Sequence, residues 1–116
     1  MYRGTTPTNT FRATVDLSEA EVVYITYGQR GNPVIEKTKA DITFEPPQDE
    51  QGTRSEPANA ELTVYTFTVQ LTQEETLRFV DSDVYIQIRA RFPGETAIAS
   101  KIIKTSVEMI LKDGVI

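Results

Sequence analysis

Residues 84–92 alternate strictly between apolar and polar side chains. The apolar side chains share one side of an extended strand and are Val84, Ile86, Ile88, Ala90 and Phe92. The polar side chains share the other side and are Tyr85, Gln87, Arg89 and Arg91. A helix would scatter both sets around its circumference, whereas an antiparallel sheet with one buried face separates them. The pattern therefore predicts a β-strand with Ile88 in a core and Gln87 facing water or a rim.

Weaker copies of this period of two recur in residues 10–15, 22–27, 61–71 and 96–111. Turn-forming residues separate them, including the sequence Pro-Gly-Glu at positions 93–95. About seven short strands with turn signals between them are typical of an all-β domain. At 116 residues, the chain is expected to form a single domain with its own core.

The order of the last elements favours one particular β architecture. Residues 72–75 read Thr-Gln-Glu-Glu, which predicts a capping box that opens a short helix over residues 73–79. A long strand, a helical corner, a second long strand, a tight turn and a third strand also end an immunoglobulin-like fold. We therefore predict an immunoglobulin-like antiparallel β-sandwich of about seven strands, with a small β-barrel as the alternative. Residues 96–111 are predicted to form one long extended segment.

Residues 45–60 differ from the rest of the chain in composition. They contain three prolines and no large apolar residue, so this stretch cannot bury enough surface to form a core element. We predict a long exposed loop here. Two interpretations stay open, a tolerated insertion and a recognition loop.

The composition argues against most enzyme chemistry. The chain has no histidine and no cysteine, so the commonest general base and the strongest nucleophile are missing. Carboxylate pairs occur at Glu74-Glu75, at Asp81 with Asp83 and at Asp49-Glu50. Each pair lies in a turn or corner that needs acidic capping residues, and Asp81-Ser82-Asp83 is only a weak pattern for a hard cation. We predict no catalytic residue, no metal and no cofactor.

The net charge restricts the partners that the chain can bind. At a net charge of −5, the protein repels phosphate backbones and anionic lipid surfaces, so we expect neither nucleic acid nor a membrane as a partner. No apolar run is long enough to cross a bilayer and no signal-peptide pattern is present.

The polar side of the predicted strand is the first candidate interface. Tyrosine and arginine are enriched in protein–protein contacts, and a flat sheet face is a usual docking surface. Tyr85, Gln87, Arg89 and Arg91 therefore form a candidate interface row. The alternative is a solvated sheet face whose arginines have cross-strand partners such as Glu61 or Glu108.

Five stretches of the chain together form a distinctive layout. They are the opening Met-Tyr-Arg-Gly-Thr-Thr-Pro-Thr, the sequence Val-Tyr-Ile-Thr-Tyr at residues 23–27, the corner Leu-Thr-Gln-Glu-Glu-Thr-Leu-Arg-Phe at residues 71–79, the strand at residues 84–91, and the ending Ile-Leu-Lys-Asp-Gly-Val-Ile. In these stretches the chain resembles small proteins encoded in prophages of gut Firmicutes, in tail or baseplate gene neighbourhoods. The resemblance spans nearly the whole chain apart from residues 45–60.

This resemblance implies a virion structural or assembly protein built from a β-sandwich, and it carries no functional residue across. The expected partners are other virion proteins or a second copy of the chain. The expected location is the bacterial cytoplasm during phage assembly and then the virion. The alternative is a carbohydrate-binding or host-surface adhesion module, because exposed tyrosines can stack on sugar rings.

Overall fold

The computed structural model describes residues 1–46, 48–49, 63–80 and 82–116. These residues form strands β1 (Thr8–Ala13), β2 (Val22–Gln29), β3 (Asn32–Thr38), β4 (Ile42–Phe44), β5 (Gln48–Asp49), β6 (Thr63–Gln70), β7 (Val84–Arg91), β8 (Ala97–Ala99) and β9 (Ile103–Thr105). One short helix, α1 (Gln73–Thr76), and two 3₁₀ turns, Leu17–Glu19 and Lys39–Asp41, lie between them.

The strands form two antiparallel sheets that pack face to face. In the first sheet, β6 lies between β1 and the edge that β4 and β5 share. In the second, the order is β3, β2, β7, and then an outer edge that β8 and β9 share. These orders correspond to strands B, E and D and to strands C′, C, F and G of an immunoglobulin-like sandwich. The predicted fold is confirmed, and the barrel alternative is wrong because the described parts of the two sheets share no strand.

The core fills the space between the sheets with the inward side chains of both. Val84, Ile86, Ile88 and Ala90 are buried while Tyr85, Arg89 and Arg91 are exposed, which confirms the predicted faces of β7. On the first sheet, Phe67 is buried and stacks on Phe11 with ring centroids 5.4 Å apart. Burial of these inward side chains, together with aromatic contacts between neighbouring strands, is the main source of stability.

The capping box at the corner is present, although the helix is shorter than predicted. The Thr72 hydroxyl accepts a hydrogen bond from the Glu75 amide, and the Glu75 carboxylate accepts one from the Thr72 amide. The helix ends at Thr76 and not at Phe79. The phenyl ring of Phe79 is buried next to Tyr27, with ring centroids 6.3 Å apart. The chain leaves the helix after Thr76 and does not form a second turn, and Phe79 is placed in the core.

The prediction of one extended segment over residues 96–111 is wrong, because a bulge divides it into β8 and β9. The pairing register with β7 shifts by one residue between Arg89↔Ala99 and Ile86↔Ile103. At the break, the Ser100 hydroxyl accepts from the Ile88 amide at 3.0 Å, and the Gln87 side chain donates to the Ser100 carbonyl at 3.1 Å. The Ile88 amide and the Ser100 carbonyl therefore have side-chain hydrogen-bond partners at the bulge, where the regular backbone pairing is interrupted.

The predicted loop over residues 45–60 lies mostly outside the described residues. Glu45 and Pro46 are exposed. Gln48–Asp49 is strand β5 and pairs with Val64 and Thr63 of β6, a pairing that the loop prediction did not include.

We expect Phe67→Ala to destabilise the fold by about 3–5 kcal/mol, because it removes a buried ring and leaves a cavity beside Phe11. The matched control is Tyr85→Ala, which truncates an exposed ring and should change stability by less than about 1 kcal/mol. Urea unfolding monitored by tyrosine fluorescence measures both. Similar losses for the two variants would contradict the assignment of Phe67 to the core.

Candidate functional site

The four residues predicted as an interface row lie on the outer side of β7, but they do not have the same role. The side chains of Tyr85, Arg89 and Arg91 are exposed. Gln87 is half-buried, and its amide group is engaged by the Ser100 carbonyl. Gln87 therefore supports the bulge, and its half-buried place on the outer side agrees with the prediction that it faces water or a rim.

The neighbouring strands add one aromatic residue that the sequence analysis did not place on this surface. Tyr24 of β2 lies directly opposite Arg89 and is 42% exposed, and Tyr85 is 43% exposed. The signal for Tyr24 was the alternation along β2, where its neighbours Val23 and Ile25 are buried. We call the surface made by Tyr24, Tyr85, Arg89 and Arg91 the outer face.

Each residue of the outer face on β7 has a small residue opposite it on one side. Gly28 lies opposite Tyr85, Ala99 lies opposite Arg89, and Ala97 lies opposite Arg91. The small residues leave these three side chains accessible from that side. Of the partners suggested in the alternative interpretation, Glu108 does not pair with the arginines, since it pairs with the amino group of Met1 and bridges Tyr2. The other suggested partner, Glu61, lies outside the described residues.

The charge of the outer face is mostly positive. Besides the two arginines, Lys104 of β9 lies opposite Tyr85, and its ammonium group is 3.6 Å from the Asp83 carboxylate. Glu36 of β3 lies opposite Thr26 and supplies a carboxylate toward the β3 edge. A positive sheet face on a protein with a net charge of −5 favours an acidic partner.

A second group of polar side chains joins the two sheets at the helical corner. Lys37 of β3 points inward, and its ammonium group is 2.8 Å from the Glu75 carboxylate. The buried Tyr27 hydroxyl donates to the Asn9 side chain of β1 at 2.8 Å. Burial, and then the Glu75 charge, raise the pKa of Tyr27. This tyrosine therefore acts as a neutral hydrogen-bond donor and not as a base.

The pKa of Glu75 reflects opposing effects. Burial favours the neutral acid, but hydrogen bonds from Lys37 and from Thr72, together with the Lys37 charge, outweigh it and lower the pKa of Glu75. Glu75 is thus held as a carboxylate by contacts within the fold. Among the described residues these contacts engage both Glu75 oxygens, so the carboxylate connects Lys37 to the capping box.

The N-terminal arm completes the corner. Arg3 donates from its side chain to the carbonyls of Phe79 at 2.6 Å and Leu77 at 2.9 Å, which satisfies backbone acceptors at the end of the helix. The Thr76 hydroxyl accepts from the Thr5 amide and donates to the Thr5 carbonyl. The arm is therefore tied to the corner through side chains that are already used by the fold.

The carboxylate pairs considered from the sequence do not form a reactive centre in the described part of the chain. Glu74 is exposed while Glu75 is paired with Lys37. Asp83 lies near Lys104, and Asp81 and Glu50 are outside the described residues. No group of three metal-ligating side chains occurs among the residues described. No helix in the described ranges has the length and apolar character needed to span a bilayer.

No protein-family model, curated protein or solved structure matches this chain.

We expect the stability of the fold to depend on the ionisation of Glu75. Because its pKa is lowered in the folded state from the usual 4.5, the contribution of the carboxylate is present above that value. It is lost as pH falls through the folded-state pKa. Glu75→Gln should lower stability by roughly 3 kcal/mol at neutral pH, because it leaves Lys37 without its counter-ion.

Glu75→Gln should also remove part of the stability loss that the wild type undergoes on acidification below about pH 4.5. Glu74→Gln, an exposed change on the same helix, is the matched control and should keep the wild-type acid profile. Urea unfolding at neutral and acidic pH measures both effects. Parallel acid profiles for wild type and Glu75→Gln would contradict the role assigned to the ion pair.

Proposed function

We propose that this protein is a non-enzymatic assembly module of a phage tail or baseplate and that it works through protein–protein contacts. The phage context comes from the resemblance in sequence described above. The immunoglobulin-like sandwich and the outer face support the mode of action, since both suit a rigid module that binds other proteins.

The single observation that carries this proposal is the composition of the outer face. Tyr24, Tyr85, Arg89 and Arg91 stand on the central strands of one regular sheet, where the backbone is fixed on both sides. Tyrosine and arginine on a rigid support lose little backbone entropy on binding and are frequent energetic hot spots. The positive charge suits an acidic partner, which is either a neighbouring virion protein or a second copy of this acidic chain.

A carbohydrate-binding or adhesion module is the second candidate. The observation that favours it is that Tyr24 and Tyr85 are exposed on the same face, where rings can stack on sugars. Two results together would favour this candidate over the first. The protein would bind to a glycan array and lose that binding in Tyr24→Ala and Tyr85→Ala, and it would not bind the proteins encoded beside this gene.

We expect the double variant Arg89→Glu/Arg91→Glu to fold normally and to bind its protein partner less tightly. Both side chains are exposed, so the core is unchanged. The reversed charge opposes an acidic partner most strongly at low salt, where screening is weakest. Co-purification with the products of neighbouring genes, followed by light scattering across a salt series, measures the effect.

The control for this experiment is Arg30→Glu/Arg78→Glu, which reverses the same charge at two exposed positions outside the four residues of the outer face. Binding that is equally strong in wild type and in Arg89→Glu/Arg91→Glu would remove the outer face as the interface. An equal loss in both double variants would indicate an effect of total charge and not of this surface.

A further inference from the structure

Two isoleucines on the inner side of the second sheet are exposed although their neighbours are buried. Ile98 of β8 lies opposite the buried Ala90, and Ile103 of β9 lies opposite the buried Ile86. Opposite residues in an antiparallel pair share a face, so both isoleucines face the space between the sheets. Ile98 is nevertheless 38% exposed and Ile103 is 44% exposed.

The widths of the two sheets explain this exposure. The described first sheet is three strands wide at most, because β4 and β5 share one edge of β6. The second sheet is four strands wide, because β8 and β9 share one edge of β7. Among the described residues, no strand fills the place beside β1 that strand A takes in immunoglobulin-like sandwiches. The outermost strand of the second sheet therefore has no strand facing it.

An open groove runs between these two edges. Its volume is about 1030 Å³, and its apolar lining includes Phe11, Phe67, Ile88, Ile98 and Ile103. We call this the edge groove. Phe11, Phe67 and Ile88 of this lining also belong to the buried core. The edge groove is therefore a part of the core that is not covered on one side.

The backbone on both sides of the edge groove has hydrogen-bonding groups that point away from the partner strand. The Leu71 amide donates to the Pro7 carbonyl, and in the same register Asn9, Phe11 and Ala13 face β6. The intervening residues, Thr10 and Arg12, therefore direct their N–H and C=O groups away from β6.

Strand β8 also has backbone groups that point away from its partner strand. The Ser100 amide donates to the Ile88 carbonyl, so Ile98 bonds toward β7 while Ala97 and Ala99 point outward. Edges of this kind are templates for an added strand.

The same molecule exposes a second apolar segment. The side chains of Met109, Leu111, Val115 and Ile116 are all exposed, and that of Leu111 is completely so. The segment is attached to the body by the half-buried Ile110, which lies next to Gly4, and by polar contacts at the surface. Gln73 pairs with the backbone of Ile116, and Arg3 pairs with Asp113 at 3.2 Å. Because the polar contacts are exposed and weak, release of the segment mainly costs the partial burial of Ile110.

We propose that residues 109–116 of a second copy of this chain add to the edge groove as an extended strand. Met109 and Leu111 are two residues apart, so they share one side of a strand and can cover Ile98 and Ile103. Eight residues in extended form reach roughly 26 Å, which is enough to run along the whole of the six-residue strand β1. The added strand takes the place beside β1 and completes the core.

Charge favours a second copy as the occupant. The charged side chains among the described residues lining the edge groove are Arg12 and Lys101, and both are cationic. In the inserted segment, Asp113 shares the side of Met109 and Leu111 and so faces these cations, whereas Lys112 lies on the opposite side of the strand. Groove and segment lie on different surfaces, so the contact is head-to-tail and extends into a ring or a filament.

This inference does not depend on the outer face and is tested separately from it. The segment variant is Leu111→Asp/Val115→Asp, which alters two exposed side chains and keeps the groove intact. The groove variant is Ile98→Asp, which keeps the segment intact. A second groove variant, Arg12→Pro, removes an N–H that points away from β6 and so leaves the pairing of β1 with β6 in place. The control is Thr43→Asp, an exposed change on β4 at the opposite edge of the first sheet.

Sedimentation of the full chain over a concentration series measures the assembly. We expect wild type and Thr43→Asp to associate beyond the monomer mass of 13.0 kDa, and each groove or segment variant alone to remain monomeric. We expect a mixture of a groove variant with the segment variant to form a species of twice the monomer mass and nothing larger. Only one intact groove and one intact segment can meet in that mixture.

Three results would overturn the proposal. The first is a wild type that stays monomeric throughout the concentration series, which would leave the groove to a different protein. The second is association that persists in both the groove and the segment variants. The third is a mixture of the two variants that stays monomeric while wild type associates, because a head-to-tail contact requires complementation. Loss of association in Arg89→Glu/Arg91→Glu alone would concern the outer face and not this groove.

Discussion

The alternation of side chains along β7 is the constraint on which most of this structure depends. The inward side chains of β7 form the middle of the core, and its outward side chains supply three of the four residues of the outer face. Its backbone pairs with β2 on one side and with β8 and β9 on the other. A slip of one residue would exchange the two faces and place Arg89 in the core. The burial of Ile88 therefore fixes the position of the candidate interface.

The two ends of the sandwich are stabilised differently. At the helical corner, Lys37 and Glu75 connect the second sheet to the segment that follows β6, and Arg3 ties the N-terminal arm to the same corner. These contacts give backbone and charged groups at the corner their hydrogen-bond and ion-pair partners, so the corner is rigid. Along the flank between β1 and β8, apolar side chains and backbone groups remain without a covering strand in the described part of the fold. Binding is therefore expected at the flank and on the outer face, and not at the corner.

The sequence predicted the features that depend on local pattern. The period of two located β7 and its faces, and the Thr72–Glu75 spacing located the capping box. Features that depend on distant partners were missed. Lys37 is inward because Glu75 lies across from it, and β8 is separated from β9 because Gln87 and Ser100 satisfy a bulge. The edge groove follows from the unequal widths of the two sheets, which no single segment of sequence encodes. The alternation along β2 indicates the side of the sheet on which Tyr24 lies, but it does not indicate that Arg89 lies opposite Tyr24.

Amide hydrogen exchange along β1, measured by nuclear magnetic resonance on dilute monomer, tests most directly whether this flank of the sandwich is open. The account predicts slow exchange at Asn9, Phe11 and Ala13, whose amides bond to β6, and fast exchange at Thr10 and Arg12, whose amides point into the groove. The same alternation is expected in β8, with Ile98 slower than Ala97 and Ala99. Uniform protection along β1 in the monomer would mean that another part of the chain already pairs with this edge, and it would contradict the account.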